Sequence, residues 1–515
     1  MTSTQEHPAE STDVIVVGSG GAALAAAYTA AANGLRTIVL EKTEYFGGTS
    51  AYSGSGIWLP GNQAQQRAGV PDSVELGTEY FTALVGDRTP VELQRAYLAT
   101  GPELVEFLER DPALQFQYMP FPDYFEAPGR IENGRDIFPV PLSAAELGDG
   151  LARLRPTIAL DQHGIEQDRE TLTGGQALIG RFLLALDKTG NADLRTGTRM
   201  RSLIVEDGRV TGVVADGPEG AVRLRAGRGV VLAAGGFERD HELRIRHHGL
   251  PGGGWTSTAV GTNTGDALAA LRAAGASVDL MDEAWWCPAT LFPNGRAEFT
   301  LGLRGGIFVN AAGQRFANES LPYDRMGHEI RRGHATGVSH LPVWFVFDDR
   351  FDNVPALCEP RPDPAAFREA GLWRTAGTVA GLADLIDVPA GALQRTVERF
   401  NGFAADGTDA DFQRGEDPFD RFFAAGDGPN PCLVPIDRGP FHAVQIVLGD
   451  LGTKGGARID ADARVLDESG DPIPGLYAAG NSAASVAGHV YPGPGVPLGS
   501  GMVFGYRAVR HLLAG

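Results

Sequence analysis

An unbroken apolar run, Asp13-Val-Ile-Val-Val17, predicts a strand buried on both faces near the start of the chain. A glycine cluster follows, Gly18-Ser-Gly20-Gly21-Ala22-Ala23, and then an alanine-rich stretch that reads as a helix to about Asn33. Gly34 is the expected helix stop. Arg36-Thr-Ile-Val-Leu40 is a second apolar run and closes on Glu41. Strand, glycine turn, helix and strand within about thirty residues form a βαβ unit.

Helical patterning returns over Thr78–Val85 and Pro90–Glu109. Proline and aromatic residues crowd Phe116–Pro141, which predicts an irregular wall rather than regular structure. Thr198–Val214 alternates about Asp207-Gly208 and predicts a hairpin. Gly229-Val-Val-Leu-Ala-Ala-Gly-Gly236 and Gly475-Leu-Tyr-Ala-Ala-Gly480 are further buried strands, each entering a glycine turn. The second resembles the opening unit again, so the intervening chain reads as an insertion. Residues 1–283 and 442–515 are the expected halves of one discontinuous domain, and 284–441 the inserted domain. Trp285, Trp286, Trp344 and Trp373 fall inside it.

Composition narrows the function. With 44 Lys and Arg against 64 Asp and Glu, the net charge is −20. That excludes the basic face a nucleic-acid partner requires. Hydrophobic content of 43% and charged content of 21% describe a globular chain. Glycine, at 70 residues, is about twice the usual ~7% and shows no collagen period. Cys287, Cys358 and Cys432 lie far apart, with no CxxC pair. The polar start from Met1 to Thr12 lacks the basic and apolar regions of a signal peptide. The longest near-apolar stretch, Ala22–Ala32, falls short of the ~20 residues that span a membrane. A cytoplasmic protein without transmembrane segments is the expectation.

Gly18-Ser-Gly20-Gly21-Ala22-Ala23 fits G-x-G-x-x-[GA]. The first glycine permits the tight turn and the second lets a pyrophosphate approach the backbone. The small Ala23 lets helix and strand pack closely. The helix N-terminus faces the phosphate charge. Glu41, 21 residues after Gly20, stands where an acid binds ribose hydroxyls. A lone glycine pattern is weak in so glycine-rich a chain. The register of strand, glycines, helix, strand and acid favours dinucleotide binding over a structural turn. Glu41-Lys-Thr-Glu-Tyr-Phe-Gly47-Gly48-Thr49-Ser50 adds a glycine pair just after the acid, as where a chain runs along the pyrophosphate and flavin of FAD. With Ala234-Gly235-Gly236 and Ala479-Gly480-Asn481 this favours FAD over NAD. No His or Cys sits in an obvious flavin-attachment motif, so the FAD is expected to be non-covalent. The cofactor candidates are Gly18, Gly20, Gly21, Ala22, Ala23, Glu41, Lys42, Gly47, Gly48, Thr49, Ser50, Ala234, Gly235, Gly480, Asn481 and Leu498. The fold class is therefore α/β. A discontinuous Rossmann-like FAD-binding domain carries an inserted α+β catalytic domain.

Six segments together resemble the 3-oxosteroid 1-dehydrogenases, within the flavoprotein group that also contains fumarate reductases. They are Gly18–Ala23, Tyr45-Phe-Gly-Gly-Thr-Ser50, Met281-Asp-Glu-Ala-Trp-Trp286, Arg315-Phe-Ala-Asn-Glu-Ser-Leu-Pro-Tyr323, Asp450-Leu-Gly-Thr-Lys-Gly-Gly456 and Gly488-His-Val-Tyr-Pro-Gly-Pro-Gly495. The last is the most diagnostic. The resemblance implies a steroid lying between two domains over the flavin. It also implies removal of hydrogens from C1 and C2 of a 3-oxosteroid, and an external electron acceptor, a quinone or another.

A C–H beside a ketone is a weak acid, so the enolising oxygen needs stabilisation. The phenol of Tyr491 can donate to it. Pro492 and Pro494 have no N–H, and the N–H of Gly495 is expected to stay free as a second donor. The alternative is a core tyrosine beside a turn. By resemblance, Tyr323 takes the C2 proton while C1 gives hydride to the flavin; otherwise it reads as a tyrosine after Pro322 in a loop. A free tyrosine has a pKa of ~10 and needs help to act as a base. Relatives supply a second tyrosine just before the proline matched by Pro120, where this chain has Met119. Tyr118 ranks first as the substitute and Tyr124 second. Phe116, Phe121, Phe125 and Phe292 are pocket-wall or core residues.

Other chemistries fail. His241-Glu242 lacks the second histidine of a zinc protease, because residue 245 is Ile245. His328, His334 and His340 are spaced by six, out of metal-ligand register on a helix, and are expected on the surface. No metal site is expected. No supported G-x-S-x-G elbow appears. The rivals are a fumarate reductase-like enzyme, a 3-oxosteroid 4-dehydrogenase, and a flavin redox sensor without turnover.

Overall fold

The structure is a computed structural model that describes residues 10–250, 254–335, 337–350, 358–424 and 426–515; the side chains of residues 334 and 335 fall outside this set. The polar residues 1–9 and the His334 side chain therefore lie outside the described residues. The chain forms two compact units: Met1–Gly253 with Thr258–Glu283 and Gly452–Gly515, and Gly254–Ser257 with Ala284–Leu451.

In the first unit the strand Glu10–Val17 lies between Thr37–Leu40 and Gly220–Leu232, parallel to both. Val14, Ile15 and Val16 are fully buried, as an all-apolar central strand requires. Thr37–Leu40 pairs in parallel with Ala192–Arg195, and Gly220–Leu232 with Pro472–Ala478. The helix Gly21–Ala32 is apolar all round and buried along most of its length. Its alanines admit the C-terminal helix Val496–Ala514, where a Cβ on Gly505 would come within 2.4 Å of the Ala22 carbonyl. The hairpin stands at Arg199–Glu206 and Arg209–Gly217, with Asp207 and Gly208 at φ of 48° and 75°. Helices occupy Val74–Val85 and Val91–Glu109.

Two expectations change. Phe116–Pro141 is not wholly irregular: Phe116–Tyr118 and Asp136–Pro139 join Ile57–Trp58 in a three-stranded sheet. These strands are too short to register as periodicity, and their partner lies far upstream. The expected return to the first domain at 442 falls inside the strand Phe441–Thr453. That strand pairs with Val343–Asp348 and Trp373–Ala376, so the second unit runs to Leu451.

In the second unit the helix Ala390–Asp406 sets Leu393, Val397 and Phe400 in a core with Val309, Trp344 and Ile436. Cys287, Cys358 and Cys432 are free, buried thiols. His340 is buried rather than on the surface, its ring stacked on Phe316 at 4.0 Å. Among the described residues, no helix is long and apolar enough to cross a membrane.

Candidate active site

Gly18 sits at φ 108°, and a Cβ there would lie 2.2 Å from the Ala233 carbonyl oxygen. Only glycine permits that turn. Gly20 is the N-cap of the first helix; no described side chain caps it, and the first turn holds no acid. Its positive end is therefore uncompensated by side-chain charge. The Gly21 N–H donates to Ser50 Oγ at 3.0 Å, and the Gly47 N–H to Ser19 Oγ at 2.9 Å. Ser19 in turn donates to Glu41 Oε2 at 2.5 Å, while Thr43 N–H and Oγ1 serve Oε1 at 2.8 and 2.9 Å. The carboxylate of Glu41 is thus oriented at the strand end and only 5% exposed.

The remaining cofactor candidates divide. Gly480, at φ 58°, has room for no more than a close approach to Ala22: its Cβ would stand 3.1 Å from that of Ala22. Leu498 closes on Gly21, with 3.0 Å between its Cδ2 and a Cβ placed there. The Ala234 N–H donates to Ser482 Oγ, which itself donates to the Gly235 carbonyl. Asn481 stands over Gly452, where a Cβ would meet its Nδ2 at 2.4 Å. Gly48 lies at φ 47° in open space. Thr49 Oγ1 accepts from the Ala259 N–H and Asn263 Nδ2 at 3.1 and 2.9 Å. Lys42 turns away from this set, its Nζ on Thr264 Oγ1 and Asp266 Oδ2 at 2.6 and 3.0 Å. Asp266 carries the negative charge that draws it there. Ser19, Thr43 and Ser482 were missed by the sequence reading. Ser19 is the variable position of the glycine motif, and the others carry no local signal. Glycines in close approach, an uncapped helix end and an oriented buried carboxylate fit a pyrophosphate and ribose.

The second loop is built differently. Gly495 sits at φ 86°, and its Cβ would fall 2.3 Å from the Gly56 carbonyl group. A Cβ on Gly493 would strike Trp58 Nε1 at 2.5 Å. The Gly495 N–H is not free as expected: it donates to Tyr491 Oη at 3.2 Å. Four residues apart, the two groups close a turn. A phenol oxygen that accepts there still carries a proton of its own to donate. Pro492 O accepts from Tyr80 Oη at 2.7 Å and from the Tyr124 N–H at 3.0 Å. The Tyr124 ring meets that of Tyr491 edge-on, centroids 5.4 Å apart. Gly495 caps the 19-residue C-terminal helix, again with no described side-chain cap and no acid in the first turn.

Beneath this loop is a buried charged group. Arg135 binds Asp123 at 2.8 Å and Asp72 at 3.2 Å. The neighbouring Asp136 is fully buried, and neither of its carboxylate oxygens meets a hydrogen-bond partner among the described residues. Its Oδ1 would lie 3.4 Å from a Cβ on Gly56. Burial, reinforced by the charge of Asp123, pushes its carboxyl well above the usual range.

Tyr118, the first-ranked helper, ends the strand Phe116–Tyr118. Its hydroxyl donates to the Asn133 carbonyl at 2.9 Å, and burial raises its pKa. Met119 is exposed. In a strand, neighbouring residues face opposite ways, so Tyr118 does not replace a side chain at 119.

In the second unit Tyr323 opens the helix Tyr323–Ala335 and is 5% exposed. Its ring meets Phe299 edge-on at 4.8 Å. The preceding turn is anchored by ions: Arg315 binds Glu319 and Asp409 at 2.8 Å each, and Arg414 binds Glu319 at 3.0 Å. Asn318 Nδ2 donates to Asp420 at 2.9 Å. Phe292 packs edge-on against Phe367 at 5.0 Å.

Residues 13–498 match the family model described as FAD binding domain. A 3-oxosteroid 1-dehydrogenase of Rhodococcus opacus is 40% identical over 97% of this chain and 98% of its own length. A 4-oxocyclohexanecarboxylate 2-dehydrogenase of Sinomonas cyclohexanicum is 36% identical over 98% of this chain and 93% of its own. The crystal structure of 3-ketosteroid delta1-dehydrogenase from Sterolibacterium denitrificans, in complex with 1,4-androstadiene-3,17-dione, superposes with a TM-score of 0.91 at 36% identity. That match covers 98% of this chain and 100% of the other.

Proposed function

The chain belongs to the FAD-binding flavoprotein family that contains the 3-oxosteroid 1-dehydrogenases, and we propose that it is itself an FAD-dependent 1,2-desaturase of 3-oxosteroids. The observation that carries this reading is the Tyr491–Gly495 loop. There a phenol is oriented by a backbone N–H at the positive end of an uncapped helix.

Charge grows on the ketone oxygen as C2 loses its proton. Donors aimed at that oxygen lower the barrier more than they stabilise the ground state. Tyr491 donates to the oxygen, and the helix end adds its partial positive charge. The Gly495 N–H orients the Tyr491 phenol. Tyr323 accepts the C2 proton. The Gly18–Gly21 loop and Glu41 would hold FAD non-covalently, and FAD would supply the acceptor for the C1 hydrogen and its electron pair. The C1–C2 single bond becomes a double bond. Turnover also calls for an external electron acceptor, and the proposed place of action is the cytoplasm.

A smaller cyclic ketone is the second reading, supported by the Sinomonas relative, because desaturation beside a ring ketone asks the same of Tyr491 and Tyr323. Anaerobic mixing of the holoenzyme with 4-androstene-3,17-dione or 4-oxocyclohexanecarboxylate, following flavin absorbance and product mass, separates the two. Bleaching by the steroid, with a product lacking two hydrogens, supports the first reading. Bleaching by the small ketone alone moves the substrate assignment, and bleaching by neither overturns both.

A further inference from the structure

The segment Asp450-Leu-Gly-Thr-Lys-Gly-Gly456 has no part in the chemistry above, yet it carries a lysine with 0% exposure. A buried ammonium is costly to desolvate unless polar groups replace its water. Lys454 Nζ donates to the carbonyl oxygens of His489 at 3.0 Å and Val490 at 3.2 Å, the two residues immediately before Tyr491. Its own backbone is fixed on both sides. The Lys454 N–H donates to the Glu283 carbonyl at 2.9 Å, and its carbonyl accepts from the Ser485 N–H at 3.0 Å.

A second tether reaches the same turn. Arg88 Nε meets His489 Nε2 at 2.8 Å while its two terminal nitrogens fork onto Asp279, also at 2.8 Å. Beyond Tyr491 the chain is held at Pro492 by Tyr80 and Tyr124.

We infer that Lys454 is a positioning residue for Tyr491: its ammonium pins the two peptide groups that lead into the phenol and so holds the hydroxyl where the ketone oxygen needs a donor. Two carbonyl dipoles converging on one point repel each other without a shared cation. An ammonium, with three donors on a compact head, satisfies both, whereas a planar guanidinium directs its donors differently. His489 and Val490 follow Gly488, at φ 59°, whose backbone is permissive, and a 1 Å error in a reacting group can cost about 10²-fold in rate. The inference rests on Tyr491 as the ketone donor.

The test is a double-mutant cycle on the FAD-loaded full chain: Lys454→Met, Tyr491→Phe and the pair, reading kcat, KM for the steroid, flavin absorbance and Tm. Lys454→Met is expected to lower kcat by about 10- to 100-fold with KM changed less than about 3-fold and flavin retained. In the Tyr491→Phe background the same change should cost less than about 2-fold, because the group it positions is gone. Lys454→Arg should recover part of the loss. If Lys454→Met loses the flavin, Lys454→Arg carries the cycle, with a smaller loss that again vanishes in the Tyr491→Phe background. Equal losses in both backgrounds, or turnover within about 2-fold of wild type, overturn the inference while leaving Tyr491 in place. A Tyr491→Phe enzyme at the wild-type rate overturns the premise and the inference together.

Discussion

Two glycine loops in one unit each lead into a helix without a side-chain cap, and they are held in opposite ways. The Gly18–Gly21 loop is locked by its own main chain against the adjacent strand, with Ser19, Glu41, Thr43, Gly47 and Ser50 closing over it from within a few tens of residues. The Tyr491–Gly495 loop is held by Trp58, Tyr80, Tyr124, Arg88 and Lys454, most of them some four hundred residues away in sequence. Under the proposed function the difference follows from the ligands. A pyrophosphate asks for backbone N–H groups and a helix end, which a short motif supplies wherever it folds. A ketone oxygen asks for one phenol at one point, and a Pro-Gly-Pro-Gly segment cannot hold it there unaided.

The largest effect should come from attacking the first loop. Gly18→Val places a Cβ against the Ala233 carbonyl at φ 108°, and folded, yellow protein should be lost. Gly34→Ala is the control. It also has a positive φ, 82°, but no atom within 4 Å, so it should cost only ~1–2 kcal/mol, read as a modest fall in Tm. If both variants bind FAD alike, steric locking does not define this loop.

The second loop should break in its chemistry while the cofactor stays. Tyr491→Phe keeps the ring and removes the donor, so turnover should fall by ~10²–10³ with the flavin spectrum intact. Tyr118→Phe removes the bonds to the Asn133 and Gly134 carbonyls. It should lower stability by about 1 kcal/mol and leave the pH–rate profile where it was. A shifted profile would support the helper role that the family resemblance implied for Tyr118.

The smallest effect sharpens the contrast between the oriented Glu41 carboxylate and the unpartnered Asp136 carboxyl. Asp136 holds its proton more tightly in the folded chain than in the unfolded one. Its contribution to stability is therefore greatest below the unfolded carboxylate pKa of ~3.9 and declines as pH rises toward the folded value. Asp136→Asn should match wild type in Tm near pH 4 and gain on it steadily above. A constant difference across that range would show that Asp136 is not held protonated.

The βαβ unit, the hairpin at Asp207-Gly208 and the glycine turn at Gly480 after the strand Pro472–Ala478 were legible because each is a local pattern whose period or turn residue states its conformation. The three-stranded sheet joining residues 57–58, 116–118 and 136–139 was not, since two or three residues give no period and the pairing is long-range.

At the level of single residues, the sequence by itself determined the tight glycine turn at Gly18, because backbone sterics act at fixed short spacing. Only the tertiary structure decided that Lys42 pairs with Asp266, that Tyr118 holds Asn133, that the Gly495 N–H turns to Tyr491, and that a buried Lys454 anchors the peptides before it. Those outcomes depend on which hydrogen-bond partners the fold brings within about 3 Å. Chain connectivity across hundreds of residues leaves that distance open until the core has packed.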